Sequence, residues 1–333
     1  MNLESYPPLF GELSNQTQKV DTVDSTIKPI CQDSDPIPVI DVQSLNLDQL
    51  EEACKDWGLF RLVNHGVPPS LLSQLQDHAK KLYSLSFEYK QTIFTSPTSY
   101  FWGTPALTPS GAPLSRGPQK VNWVEGFNIP LAPLFQLQAQ DPPILASFRL
   151  LLEEYGKHLT RLATTIFKAM AMNLNLDQEQ SKSNLSESTG SIRVYRYPRC
   201  SIADTAWGID VHTDSSVLSI LYSEVGGIEI LKDDEWFQVK PISNTLILNL
   251  GDMMQAISND KYKSVQHRVK LNKHKDRISI CYFVFPDELS VIRSSKYKPF
   301  TYSDFQAQVQ QDIKTHGFKV GLESFKLIEA SEA

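Results

Sequence analysis

Two hydrophobic periods divide the chain. Between Asp48 and Trp57, apolar positions at Leu50, Cys54 and Trp57 behind an acidic first turn predict a half-buried helix, with Gly58 as its stop. A second predicted helix, capped by Ser70, places Leu72, Leu75, Ala79, Leu82 and Leu85 on one side. A long amphipathic helix is predicted over about 144–174, with Leu151, Tyr155, Leu159, Leu162, Ile166 and Met170 along its stripe. Apolar runs at 37–41 and 59–63 read as strands among these helices.

From Ser191 the texture changes to short β-branched runs parted by turns, at 192–197, 217–222, 228–231, 236–239, 246–250, 264–269 and 278–284. That spacing predicts a mainly β fold with helices, its two sheets arranged as a jelly roll under an N-terminal helical cover. The expected organisation is a flexible leader over 1–35, rich in Ser, Thr, Asn, Gln and Asp, and an N-terminal α/β cover with a substrate loop over 36–185. The jelly-roll core would follow over 186–295, with a C-terminal helical segment over 296–333. Within the cover, residues 94–143 hold many of the prolines and glycines together with Trp102, Trp123 and Phe127, the make-up of an irregular binding loop or lid. Residues 177–190 read as a polar linker.

Composition narrows the function classes. The 333 residues are 41% apolar and 21% charged, ordinary for a soluble globular protein. A net charge of −6 with scattered basic residues excludes a nucleic-acid footprint. No apolar stretch approaches the roughly 20 residues that span a bilayer, and no basic start precedes an apolar run as in a secretory signal. The four cysteines (Cys31, Cys54, Cys200, Cys281) contain no C-x-x-C pair, which argues against a zinc module or disulfide framework and fits a reducing, cytoplasmic setting.

Candidate chemistry begins at His212-Thr213-Asp214, just ahead of an apolar run. On a strand, side chains two apart share a face, so His212 and Asp214 can point at one site. His267, inside the 264–269 run, offers a third ligand. Two imidazoles and a carboxylate form a facial triad that leaves positions open on iron, although zinc accepts the same donors. H-x-D alone is a common pattern and carries little weight. Arg277-Ile278-Ser279 adds weight: it puts a guanidinium fork and a hydroxyl on one strand face, suited to a carboxylate. Tyr197 can donate to the same acid. Arg277 lies among Ile278, Ile280 and Phe283, and a buried guanidinium requires an anionic partner.

H-x-D, a distant histidine and R-x-S in this order resemble the plant 2-oxoglutarate/Fe(II)-dependent dioxygenase superfamily. Nearly the whole chain agrees, through Pro38-Val39-Ile40-Asp41, Trp57-Gly58-Leu59-Phe60, Val63-Asn64-His65-Gly66-Val67-Pro68, Gly226-Gly227-Ile228-Glu229, Asn249-Leu250-Gly251-Asp252 and Ser264-Val265-Gln266-His267-Arg268-Val269. The resemblance implies a distorted double-stranded β-helix (jelly roll) core. It also implies Fe(II) on His212, Asp214 and His267, and 2-oxoglutarate on Arg277, Ser279 and Tyr197. O2 would be the co-substrate and ascorbate the reductant, with succinate and CO2 released. Tyr195 departs from the pattern, since many members have asparagine there; with Arg277 and Ser279 in place, co-substrate binding is expected to survive with an altered geometry. His65 falls in the family's N-H-G turn and is expected to be structural.

Trp102-Gly103-Thr104-Pro105 and the segment from Trp123 through Glu125 and Phe127 to Leu131 resemble the gibberellin oxidases. Tyr302-Ser303-Asp304-Phe305, Asp312-Ile313-Lys314 and Val320-Gly321-Leu322 are most similar to gibberellin 2-beta-dioxygenases, particularly those accepting C20 gibberellins. What this implies is C-2 beta hydroxylation of a gibberellin, a hormone-deactivating step. The alternatives are another gibberellin carbon, or a flavonoid, an alkaloid or another terpenoid. Trp102, Trp123, Phe127 and Phe285 would line an apolar pocket for a rigid carboxylated diterpenoid, with Arg193, Arg196 or Lys120 meeting its carboxylate. The insert at 108–118 and Gly126 after Glu125 mark a subgroup whose substrate has shifted. Two rival classes are an oxidase that dispenses with 2-oxoglutarate and a non-catalytic binding relative; the complete triad speaks against the second.

Overall fold

The long helix is Pro143–Asn173 in the computed structural model, which describes residues 3–10, 35–94, 98–103, 121–134, 142–200, 203 and 206–327. Pro142 and Pro143 set its start, because proline lacks the N–H that a first turn leaves unpaired anyway. Its buried face includes Phe148, Leu152, Tyr155, Leu159, Leu162, Ile166 and Met170, packed against the helices Leu47–Asp56 and Pro69–Tyr83. Asn46 caps the first of these by accepting from the Gln49 N–H at 3.0 Å. The second begins on Pro69 without a side-chain cap, so Ser70 is not the cap its position suggested.

The principal strands are, in order, β1 (Val39–Asp41), β2 (Leu59–Val63), β3 (Ser99–Trp102), β4 (Glu125–Pro130), β5 (Ser191–Tyr197) and β6 (Trp207–His212). They continue as β7 (Leu218–Tyr222), β8 (Ile228–Lys232), β9 (Glu235–Gln238), β10 (Leu246–Leu250), β11 (His267–Lys270) and β12 (Arg277–Val284). Eight build one sheet in the order β1-β2-β10-β7-β12-β5-β4-β3, and four build another in the order β6-β11-β8-β9. Two apolar clusters join the sheets. One contains Ile228, Ile230, Leu59 and Ile247; the other contains Val269, Tyr195, Tyr197 and Phe283. This is the mainly β, helix-covered jelly roll that the spacing of runs predicted.

Position along β5 and β12 decides which compartment a side chain enters, because alternate residues face opposite sides of a sheet. Ile192 and Val194, with Ile278, Ile280, Tyr282 and Val284, join the large core beneath the helices. Arg193, Tyr195 and Tyr197, with Arg277, Ser279, Cys281 and Phe283, occupy the other face. The register aligns them in rows, Arg277 beside Tyr197, Ser279 beside Tyr195 and Cys281 beside Arg193.

Several local expectations change. Segment 94–143 is not irregular throughout: it contributes β3 and β4, which extend the large sheet from β5. The linker at 177–190 contains the helix Gln178–Asn184, opened by a reciprocal capping box between Asp177 and Gln180. The run at 264–269 enters the ladder only at His267. Residues 3–10, expected within a flexible leader, pack on the protein: Tyr6 and Phe10 are buried. The Ser5 carbonyl accepts from Lys90 Nζ at 2.6 Å and from Arg196 Nη2 at 2.7 Å, and Tyr6 donates to Asp276 at 3.2 Å. Residues 11–34, the insert at 108–118 and Lys120 lie outside the described residues.

Candidate metal and co-substrate site

His212 is the last residue of β6, and His267, the first of β11, is its direct partner across the ladder. Asp214 is not on the strand. The chain turns after His212, and that turn brings the carboxylate over the imidazole pair. One ligand atom from each of the three residues lies within 4.8 Å of the others. Asp214 Oδ1 is 4.0 Å from His212 Nε2 and 3.8 Å from His267 Nε2.

Hydrogen bonds select the atoms that face inward. His212 Nδ1 lies 2.7 Å from the Asp210 carbonyl and His267 Nδ1 lies 3.2 Å from the Val265 carbonyl. Each Nδ1 must carry the proton to bond a carbonyl, which leaves each Nε2 lone pair free for a metal. Ser219 Oγ and Asn249 Nδ2 both donate to Asp214 Oδ2 at 2.7 Å, so the other oxygen, Oδ1, faces the imidazoles. Burial, and then the neighbouring His267, push the His212 imidazole well below its ordinary value, so it is neutral at pH 7. Burial alone would raise the Asp214 carboxyl; the two imidazoles and the Ser219 and Asn249 hydrogen bonds outweigh it and keep the group ionised. A carboxylate with two imidazoles turned Nε2-inward is the donor set an iron oxygenase requires.

Beside the triad, Arg277 is 2% exposed, stacks over the Tyr197 ring at 5.0 Å and donates from Nε to the Val225 carbonyl at 3.1 Å. Its Nη1 is buried and has no partner. An orphaned buried guanidinium nitrogen is costly unless an anion fills the gap. Ser279 is fully buried and hydrogen-bonds Tyr197. These three residues fit one end of a dicarboxylate. Gly208 makes the room: a Cβ there would stand 2.5 Å from Tyr197 Cδ1. Gly208→Ala should therefore raise the KM for 2-oxoglutarate by roughly tenfold to a hundredfold, the scale of a small misplacement at a reacting site. Steady-state kinetics in 2-oxoglutarate checks this, and an unchanged KM would remove Tyr197 from the co-substrate's surroundings.

The expected substrate wall divides in two. Trp123 belongs to the apolar cluster that holds Tyr195, Tyr197 and Phe283, and stacks on Phe10 at 4.3 Å. Trp102 pairs with Glu125 across the β3–β4 ladder, shares its face and meets Phe87 edge-on at 6.2 Å, so it faces the helices. Phe285 packs against the same cluster and stacks on Tyr302 at 4.6 Å. Phe127 does not belong there. It alternates with Glu125 and Ile129 toward the helices and stacks on Phe94 at 3.8 Å and Tyr83 at 4.8 Å. The same alternation removes Arg196, which faces the helices and is ion-paired with Glu125.

Arg193 lies on the site face, over the Phe283 ring at 4.9 Å. Its Nε donates to Asn128 at 3.2 Å and it hydrogen-bonds Tyr195. Among the described residues no carboxylate lies within ion-pair distance of it. Tyr195, the departure from the usual asparagine, thus partners this arginine. His65 is structural, accepting from the Val67 N–H at 3.1 Å. Ser219 and Asn249 had no assigned role; the Asn-Leu-Gly-Asp match was the one signal for Asn249, and Ser219 had none.

A jelly roll with these donors at one end is the architecture of a non-haem iron oxygenase. The chain belongs to the 2OG-Fe(II) oxygenase superfamily, whose model matches residues 188–286, while the model of the non-haem dioxygenase in morphine synthesis N-terminal region matches 37–144. It is 34% identical to Gibberellin 2-beta-dioxygenase 6 of Oryza sativa subsp. japonica, over 83% of this chain and 78% of that protein. It is 33% identical to Jasmonate-induced oxygenase 1 of Arabidopsis thaliana, over 86% of this chain and 72% of that one. The crystal structure of JOX2 in complex with 2OG, Fe, and JA matches with a TM-score of 0.75 and 28% identity, covering 88% of this chain and 89% of that one. The chain is accordingly a 2-oxoglutarate-dependent dioxygenase that uses Fe(II), 2-oxoglutarate and O2, in a family acting on small molecules. No helix among the described residues is long and apolar enough to cross a membrane.

Proposed function

We propose that the chain hydroxylates a carboxylated gibberellin at C-2 on the β face, with His212, Asp214 and His267 as iron ligands and Arg277, Ser279 and Tyr197 holding 2-oxoglutarate. The observation that carries the substrate class is Arg193, a cation on the site face without a carboxylate partner among the described residues, set among Phe283, Tyr195 and Tyr302. Such a group suits an apolar acid. It would fix the carboxylate while Trp123 and Phe285 cover the hydrocarbon body. The relatives named gibberellin 2-beta-dioxygenases support this ligand over other acids.

Iron bound at the triad supplies oxygen activation coupled to decarboxylation of 2-oxoglutarate, which yields succinate and CO2. The chain does the rest. The Asp210 and Val265 carbonyls hold the imidazole tautomers, and Ser219 with Asn249 hold the carboxylate. Arg277 fixes the co-substrate as a fork on a carboxylate. The aromatic wall keeps water from the reacting centre. No proton-transfer pair is needed beside the substrate carbon.

Arg193→Met is expected to raise the KM for the acid substrate on the order of a hundredfold, as when one partner of a buried charge pair is lost. Substrate-free 2-oxoglutarate turnover should hold near the wild-type rate. The deciding assay offers C19 and C20 gibberellins, jasmonates and flavonoids, and reads succinate together with product mass. Turnover of a jasmonate alone would move the substrate to the second reading, which the 2OG, Fe and JA complex of the similar structure favours. Turnover of an uncharged flavonoid alone would end the role of Arg193.

A further inference from the structure

The C-terminal segment reaches back to the ligand turn. The helix Tyr302–His316 stops at Gly317, which takes a left-handed conformation with φ at 81°. Asp312, buried on that helix, accepts the N–H groups of Val320 and Gly321, both at 3.0 Å, and its other oxygen accepts from Gln308 at 2.7 Å. This fixes the residue between them and the helix end, Lys319. Its ammonium donates to the Thr213 carbonyl at 2.6 Å, to Asp252 Oδ2 at 2.7 Å and to Ser215 Oγ at 3.4 Å. Asp252 in turn donates its backbone N–H to the Asp214 carbonyl at 2.8 Å. The side chains of Lys319 and Asp252 are 17% and 5% exposed.

Thr213, Asp214 and Ser215 need this help. They lie between the end of β6 and the start of β7, so no ladder holds their backbone. Lys319 grips the residues on either side of Asp214, and its ion-pair partner grips Asp214 itself. We infer that Lys319 is a positioning residue for the iron site: the C-terminal segment holds the His212–Asp214 turn in its chelating shape through the Thr213 carbonyl. The inference rests on the reading of His212, Asp214 and His267 as ligands. It also gives the Val320-Gly321-Leu322 segment a task that its resemblance left open.

Charge and position predict opposite signs. A cation near a divalent metal repels it, so if Lys319 acted by charge alone, Lys319→Met would tighten Fe(II) binding. A positioning residue predicts the reverse, a loss of about 10- to 100-fold, the usual scale for removing a partner behind a ligand. The experiment is anaerobic titration of the apo enzyme with Fe(II) at saturating 2-oxoglutarate, followed by the visible charge-transfer band. K319M should raise the Kd by that factor, K319R should stay within a few-fold of wild type, and K326A should match wild type. Lys326 is a fair control because it lies on the same segment, half-exposed, and its ion-pair partner among the described residues is Glu323. An unchanged or lower Kd in K319M overturns the inference. If K319M does not fold by circular dichroism, K319Q, which removes the same charge and the same reach to the Thr213 carbonyl, is read in its place with the same two outcomes. H212A separates the underlying reading: if wild type and H212A bind Fe(II) alike, the ligand assignment itself fails and the inference falls with it.

Discussion

A His267→Ala protein is expected to lose turnover by at least about a thousandfold, because bound-metal chemistry contributes several kcal/mol of transition-state stabilisation. Its fold should survive. His267 pairs with β6 and β8 through the backbone, and its ring hydrogen-bonds, among the described residues, the Val265 carbonyl alone. The imidazole faces His212 with ring centroids 4.2 Å apart, so alanine leaves space on the site side and not in the large core. Succinate release and a thermal melt of the metal-free protein are the two measurements. Retained turnover would remove His267 from the site, and a collapsed melt would make it structural.

The second large effect lies on the opposite face of the sheet. Glu125 is fully buried; it accepts from Lys90 Nζ at 2.6 Å and from the Tyr100 hydroxyl at 2.5 Å, and it pairs with Arg196. Glu125→Ala strands two buried cations, a change that costs about 3–5 kcal/mol. The same two cations hold the Ser5 carbonyl, so the packing of residues 3–10 should loosen with them. A urea titration reads the loss as a lower midpoint at an unchanged slope. Cleavage near Tyr6 by a protease should quicken in the variant. A loss under about 1 kcal/mol, the scale of an exposed pair, would mean that the cluster contributes little.

The residue types of the site were legible because their chemistry is specific: H-x-D, a distant histidine and R-x-S have few other uses together. Their geometry was less so. A strand was expected to align His212 with Asp214, whereas β6 ends at His212 and the turn does the work. Phe127 and Arg196 were candidates for the pocket because their types fit, yet side assignment on a strand depends on register, and a shift of one residue exchanges the faces. The register of β4 on β5 could not be read from one run of residues. Residues 3–10 show no period, and their burial comes from Lys90, Arg196 and Trp123, all distant in sequence. Lys319 was unreadable for the same reason: nothing local distinguishes it from a solvated lysine, and its partners lie 67 and 106 residues away.

The two-sided character of β5 has an evolutionary consequence. Its odd positions, Arg193, Tyr195 and Tyr197, look onto the chemistry, and its even positions, Ile192, Val194 and Arg196, hold the body together. Substitution at odd positions bears on what the site holds, and at Tyr195 and Tyr197 also on the packing between the sheets, while substitution at even positions bears on folding alone. A saturation library across 191–197, sorted separately for abundance and for product, should show the two phenotypes alternating residue by residue.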